Sequence, residues 1–143
     1  MVLWLAKLRG SFKEAQDCNT IRSISRLDIH RSNRINRLGN RMAWQRVCAS
    51  HDLAEGQSVE VVFRGDVIAV YRHANELYAI DGICMHQGGP LARGRVVDGT
   101  VICPWHGWQY ELATGNHAPT CKPMLKTYKI QDSDGVIEID LPI

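Results

Sequence analysis

The 143-residue chain has no run of about twenty apolar residues, so no helical membrane span is expected. Its cysteines are few and odd in number, five in all, and no two form the Cys-x2–4-Cys knuckle common in zinc sites. No internal repeat appears. Formal charge is also slight, +2 overall, but this balance hides an uneven distribution. Residues 1–41 hold nine Lys/Arg against three Asp/Glu, whereas residues 42–143 hold eight against twelve. An acidic domain of about 100 residues, large enough for a modest core, therefore follows a basic leader.

Within the leader, residues 1–16 read as an amphipathic helix, with Trp4, Leu8, Phe12 and Ala15 on one face and Lys7, Arg9 and Lys13 elsewhere. Residues 19–41 carry six arginines among Ser and Asn. Such stretches resemble organelle transit peptides, membrane-surface arms or nucleic-acid arms. The reading preferred here is a disordered extension, or sequence upstream of a native start at Met42, and no nucleic-acid partner is expected.

After Met42 the hydrophobic period becomes two. Strands are predicted at 44–47, 59–63, 67–72, 76–80, 95–97, 100–102, 108–112, 125–130 and 136–139. Arg64-Gly65-Asp66, His73-Ala74-Asn75, Asp98-Gly99 and Asp132-Ser133-Asp134-Gly135 punctuate them. Pro119 and Pro123 exclude a central strand over 117–126. About nine short strands separated by turns indicate an all-β antiparallel sandwich or small barrel.

The chemistry gathers in two short stretches. Cys84-Met85-His86 is followed, sixteen residues later, by Cys103-Pro104-Trp105-His106. Each stretch can present one sulfur and one imidazole from a single loop, a set that suits zinc or an iron–sulfur cluster. The Asp98-Gly99 hairpin between them carries the chain out and back, so both loops reach the same end. Glycines follow each pair, at Gly88-Gly89 and Gly107, where they let backbone N–H groups approach bridging sulfides closely. One Cys and one His per loop suits a two-iron centre with two thiolates on one iron and two imidazoles on the other.

Cys-x-His-x16-Cys-x-x-His, with the flanking segments His86-Gln87-Gly88-Gly89-Pro90-Leu91 and His106-Gly107-Trp108-Gln109-Tyr110, resembles the Rieske [2Fe–2S] motif, and the likeness extends over roughly residues 42–143. It implies a small cluster-binding subdomain, about residues 82–111, inserted in a base formed by the flanking strands, and one cluster per chain. By this resemblance Cys84 and Cys103 bind the inner iron, and His86 and His106 the outer, exposed one. Neutral imidazoles raise the potential above that of all-Cys ferredoxins, and their free N–H groups couple reduction to protonation at high pH.

High-potential Rieske proteins of respiratory complexes carry an extra Cys in each loop, and these form a disulfide. Gly89 and Trp105 stand there in this chain. Trp108 occupies the position of their Ser hydroxyl, while their Tyr is kept as Tyr110. Fewer hydroxyl donors imply a low-potential centre, near ~−150 mV. Pro104, Trp105 and Pro119 are candidates to shield the cluster, and core packing is the other role open to Trp105 and Trp108. Cys18, Cys48 and Cys121 are expected to be free or buried thiols, which suits a reducing, cytoplasmic compartment. His30, His51, His73 and His117 are read as surface or core residues.

Rieske oxygenases add a mononuclear iron domain of the two-His-one-carboxylate type, and 37 residues after His106 are too few for one. The expected function is therefore that of a Rieske-type ferredoxin, carrying one electron at a time. Its partners would be a flavin-dependent reductase and a terminal oxygenase or reductase. The alternatives are a small subunit of an assimilatory nitrite reductase and a binding module with a purely structural metal.

Overall fold

The computed structural model describes residues 34–143. The segment 1–16, Cys18, His30 and the arginines before Arg34 lie outside the described residues. Twelve antiparallel strands form three sheets among those residues. Strands β1 (Arg34–Ile35), β2 (Arg41–Ala49), β11 (Ile130–Ser133) and β12 (Val136–Pro142) make one sheet, in the order β1-β2-β12-β11. Strands β3 (Ser58–Phe63), β4 (Asp66–His73) and β5 (Glu76–Asp81) form a meander. The third sheet, ordered β10-β9-β8-β7-β6, contains β6 (Arg95–Val97), β7 (Thr100–Ile102), β8 (Gln109–Glu111), β9 (Asn116–His117) and β10 (Lys122–Pro123).

The additional strands β1, β9 and β10 have two residues each, too short for a period of two to register in sequence. Pro123 lies on the edge strand β10, where its missing N–H costs no ladder bond to an outer neighbour.

Turn chemistry accounts for the meander and the hairpin between the Cys/His loops. Asp98 and Gly99 both have positive φ, +48° and +74°, as a two-residue type I′ turn requires. Ala74 and Asn75 take the same form at +53° and +61°, although Ala has no intrinsic preference for it. Glu55 holds that turn from across the sheet, its carboxylate accepting from the Ala74 and Asn75 N–H groups at 2.6 and 3.0 Å. These hydrogen bonds keep the Glu55 carboxyl below its ordinary pKa.

Strand β4 is the middle strand of the meander, and its residues 68–71 are buried on both faces. Ile68 and Val70 point into one core with Leu53, Ala79, Ile137, Ile139 and Leu141. Ala69 and Tyr71 alternate to the other face, against Ile80, Cys84, Leu91, Val101, Cys103 and Tyr110. Each fully buried Ile, Leu or Val contributes roughly 1.5–3 kcal/mol relative to exposure. The Cys/His end is thereby packed directly on the base.

The third sheet is inserted between β5 and β11, and Asp81 clamps its two junctions. The Asp81 carboxylate accepts from Lys126 N–H and Tyr128 O–H, both at 2.7 Å. The Asp81 N–H in turn donates to Lys126 C=O at 2.9 Å. Burial raises the Tyr128 hydroxyl pKa, and the Asp81 hydrogen bond and charge raise it further.

Candidate metal centre

Two loops, residues 84–89 and 103–108, close in the same way. In the first, Cys84 C=O accepts from Gly88 N–H and Cys84 N–H donates to Gly89 C=O, both at 2.9 Å. In the second, Cys103 C=O accepts from Gly107 N–H at 3.0 Å, and Cys103 N–H donates to Trp108 C=O at 2.7 Å. Gly88 and Gly107 occupy matching places with φ of +77° and +72°. The histidine falls at the third residue of one loop and the fourth of the other, which is the structural meaning of Cys-x-His against Cys-x-x-His.

This arrangement brings the four candidate ligands to one end. Cys84 and Cys103 are 3% and 2% exposed, whereas both imidazoles are exposed. The His86 and His106 rings meet edge to face, their centroids 4.9 Å apart. The thiols thus lie on the protein side and the imidazoles on the solvent side.

Electrostatics at the buried end favour a thiolate. Burial pushes the Cys84 thiol up, but hydrogen bonds from Tyr110 Oη, the His86 and Gln87 N–H groups and Cys103 outweigh it, so its pKa falls below the ordinary value. The Tyr110 hydroxyl lies 3.3 Å from Cys84 Sγ and donates to it in the thiolate form. Burial, and then the interaction with Cys84, push the Tyr110 pKa up, so this donor keeps its proton.

Three observations test whether the residues fit a [2Fe–2S] cluster. A Cβ on Gly89 would lie 2.7 Å from Cys103 Sγ and 3.2 Å from the Trp105 ring, so backbone comes close to sulfur where only Gly fits. The Tyr71 hydroxyl, fully buried, has no hydrogen-bond partner among the described residues. The donor set, one buried thiol and one exposed imidazole from each loop, pairs two sulfurs and two nitrogens as a two-iron centre requires.

The neighbouring residues divide differently from expectation. Trp105 is 57% exposed and lies over Gly89, so core packing is not its role. Trp108 is half-buried and stacks on the His86 ring at 4.7 Å with only 7° between planes. His117 packs on Trp108 at 4.7 Å and on Tyr110 at 6.0 Å, with its Nδ1 2.9 Å from Thr120 Oγ1. Residue types alone did not single out His117; the signal is its pairing with Tyr110 between β9 and β8, which places it beside the site.

His73 Nε2 accepts from Gly99 N–H at 3.1 Å, and exposed His51 lies 3.3 Å from Asp52. Cys48 is a half-buried free thiol, its pKa raised by burial and then by the Asp52 charge. Cys121 is disulfide-bonded, which corrects the expectation of a free thiol there. A shallow cleft of about 450 Å³ is lined by Ser50, His51, Leu53, Ala54, Arg72 and Gly135, away from both loops. Arg72 is already engaged there by Leu53 C=O, Ser50 Oγ and Asp132. No helix among the described residues is long and apolar enough to cross a membrane.

Comparison with known proteins agrees with this geometry. The anthranilate 1,2-dioxygenase ferredoxin subunit of Burkholderia cepacia is 33% identical over 101 residues, covering 68% of this chain and 92% of the relative. The solved structure of the Sphingomonas yanoikuyae B1 ferredoxin superposes with a TM-score of 0.63 at 30% identity, over 70% of this chain and all of that one. A chain of the solved complex of reduced oxygenase and oxidized ferredoxin in carbazole 1,9a-dioxygenase gives 0.62 at 28% identity, over 67% of this chain and 91% of that one. The Rieske [2Fe-2S] domain profile matches residues 43–129. The chain therefore belongs to the Rieske [2Fe–2S] domain family, and its cofactor is a Rieske-type [2Fe–2S] cluster.

Proposed function

We propose that this chain is a Rieske-type ferredoxin that takes one electron from a flavin-dependent reductase and passes it to a terminal oxygenase. The observation that carries this reading is the pair of exposed imidazoles, His86 and His106, backed by two buried thiols. Cys84, Cys103, His86 and His106 would hold the cluster, which supplies one-electron chemistry when bound. The protein contributes position and environment. Tyr110 donates to Cys84, Trp108 holds the His86 ring flat, and the base sheets exclude water from the sulfur side.

Met85 and Trp105, 63% and 57% exposed, flank the imidazoles and offer apolar contact to a partner. The acidic balance of residues 42–143 suits weak, fast, salt-sensitive docking on a basic surface. A complete set of four ligands favours an electron carrier over a binding module. Cytoplasmic placement rests on the free thiol at Cys48; the Cys121 disulfide counts against it.

The first test is EPR of the dithionite-reduced protein with an iron and sulfide assay. The reading expects a rhombic signal of the mixed Cys/His type, and rapid oxidation of the reduced protein by an aromatic-ring oxygenase, slowing as salt rises. A silent spectrum with zinc in the metal analysis would overturn it.

We also propose that residues 42–143 suffice as the cluster-binding unit. Among the described residues, strand β1 pairs through Arg34 with Met42 and through Ile35 with Arg41, and Arg41 C=O accepts from Ile143 N–H. A protein starting at Met42 is expected to keep full iron and sulfide content. Loss of the cluster would place the leader within the folded unit.

A further inference from the structure

Tyr71 lies on β4, on the face that alternation with Ile68 and Val70 turns toward the Cys/His end. The cross-strand pairs Ala69–Ile80 and Tyr71–Tyr78 fix that register, and all four residues belong to or pack against the core containing Cys84 and Cys103. Tyr71 is 1% exposed, and its hydroxyl is left without a partner. Burying a hydroxyl without a hydrogen bond is unfavourable, so such a group usually has an acceptor. Tyr71 shares its buried core with Cys84 and Cys103, whose sulfurs are the acceptors that core offers. Tyr110 already serves Cys84 Sγ at 3.3 Å, which leaves the Cys103 side for the Tyr71 hydroxyl.

We propose that Tyr71 is a second hydroxyl donor to the cluster, giving its O–H to sulfur on the Cys103 side and raising the reduction potential. Trp108 stands where the resemblance implies a hydroxyl, and that loss by itself implies a low potential. Tyr71 supplies a hydroxyl from a different strand, 37 residues earlier, and offsets part of that loss. Reduction adds negative charge to the sulfurs, so a donor aimed at them stabilises the reduced state more than the oxidised one.

The proposal rests on the ligand assignment above, and iron content with the g values of the unaltered protein tests that assignment separately. Tyr71→Phe removes the hydroxyl and keeps the ring. With iron and sulfide intact, its reduction equilibrium is expected to shift about tenfold toward the oxidised form, equivalent to ~59 mV for one electron. The deuterium-sensitive component of its Fe–S resonance Raman bands should diminish too. An unchanged potential with unchanged deuterium sensitivity would overturn the proposal and leave Tyr71 with a buried water as its partner. If Tyr71→Phe does not hold its cluster, 3-fluorotyrosine at position 71 decides. It keeps ring and hydroxyl but donates more strongly, so the potential should rise; no rise would overturn the proposal.

Discussion

Gly89→Ala is expected to strip most of the cluster from the protein while the base sheets stay folded. The added Cβ would stand 2.7 Å from Cys103 Sγ, a separation that real Cβ contacts do not reach, and 3.2 Å from two Trp105 ring atoms. Trp105 is exposed and can swing away, but Cys103 is buried in the core and cannot. Relief must come from moving the 84–89 loop, which draws Cys84 and His86 away from the facing pair. The Gly89 C=O also accepts from Cys84 N–H, so that movement loosens the loop closure itself.

The neighbouring glycine is the control. Gly88→Ala meets nothing within 4 Å and keeps the N–H that bonds Cys84 C=O. Its cost is the positive φ, roughly 1–2 kcal/mol of backbone strain. Iron and sulfide content should therefore collapse in Gly89→Ala and hold in Gly88→Ala, with circular dichroism showing strand structure in both. Equal cluster content in the two variants would show that the site does not need the close approach at Gly89.

The second large effect is electrochemical. His106→Cys should retain a cluster and lower its potential, because an anionic thiolate replaces a neutral imidazole. Two such replacements separate about −150 mV, the bottom of the Rieske range, from about −400 mV in plant-type ferredoxins, so one should lower it by roughly 100 mV. His106 suits this test better than His86, whose ring is stacked on Trp108 and whose loss would also unseat the tryptophan. Protein-film voltammetry reads the shift directly. An unchanged or higher potential would remove His106 from the ligand set.

Much of this could be read from local chemistry. Asp98-Gly99 marks a type I′ hairpin because Gly and Asp tolerate positive φ, and the observed angles follow. The strands around it, Arg95–Val97 and Thr100–Ile102, have the predicted bounds. Cys84, His86, Cys103 and His106 stood out because ligand chemistry depends on residue type and short spacing, which the linear chain preserves. The Ala74-Asn75 turn was visible only as polar sequence, since the group that steadies it, Glu55, lies some twenty residues away in the chain.

The amino-acid order by itself determined the two Cys/His loops, the hairpin that returns one to the other, and the alternation that makes the fold all-β. Tertiary structure alone decided what surrounds those loops. Trp105 lies outside the core and Trp108 on His86, His117 joins the stack through a two-residue strand, and Tyr71 arrives from the base with an unspent proton. The reason is physical. Loop geometry is set by residues adjacent in sequence, whereas the environment of a buried sulfur is set by whichever strands pack across it, and that packing depends on contacts between residues far apart in the chain.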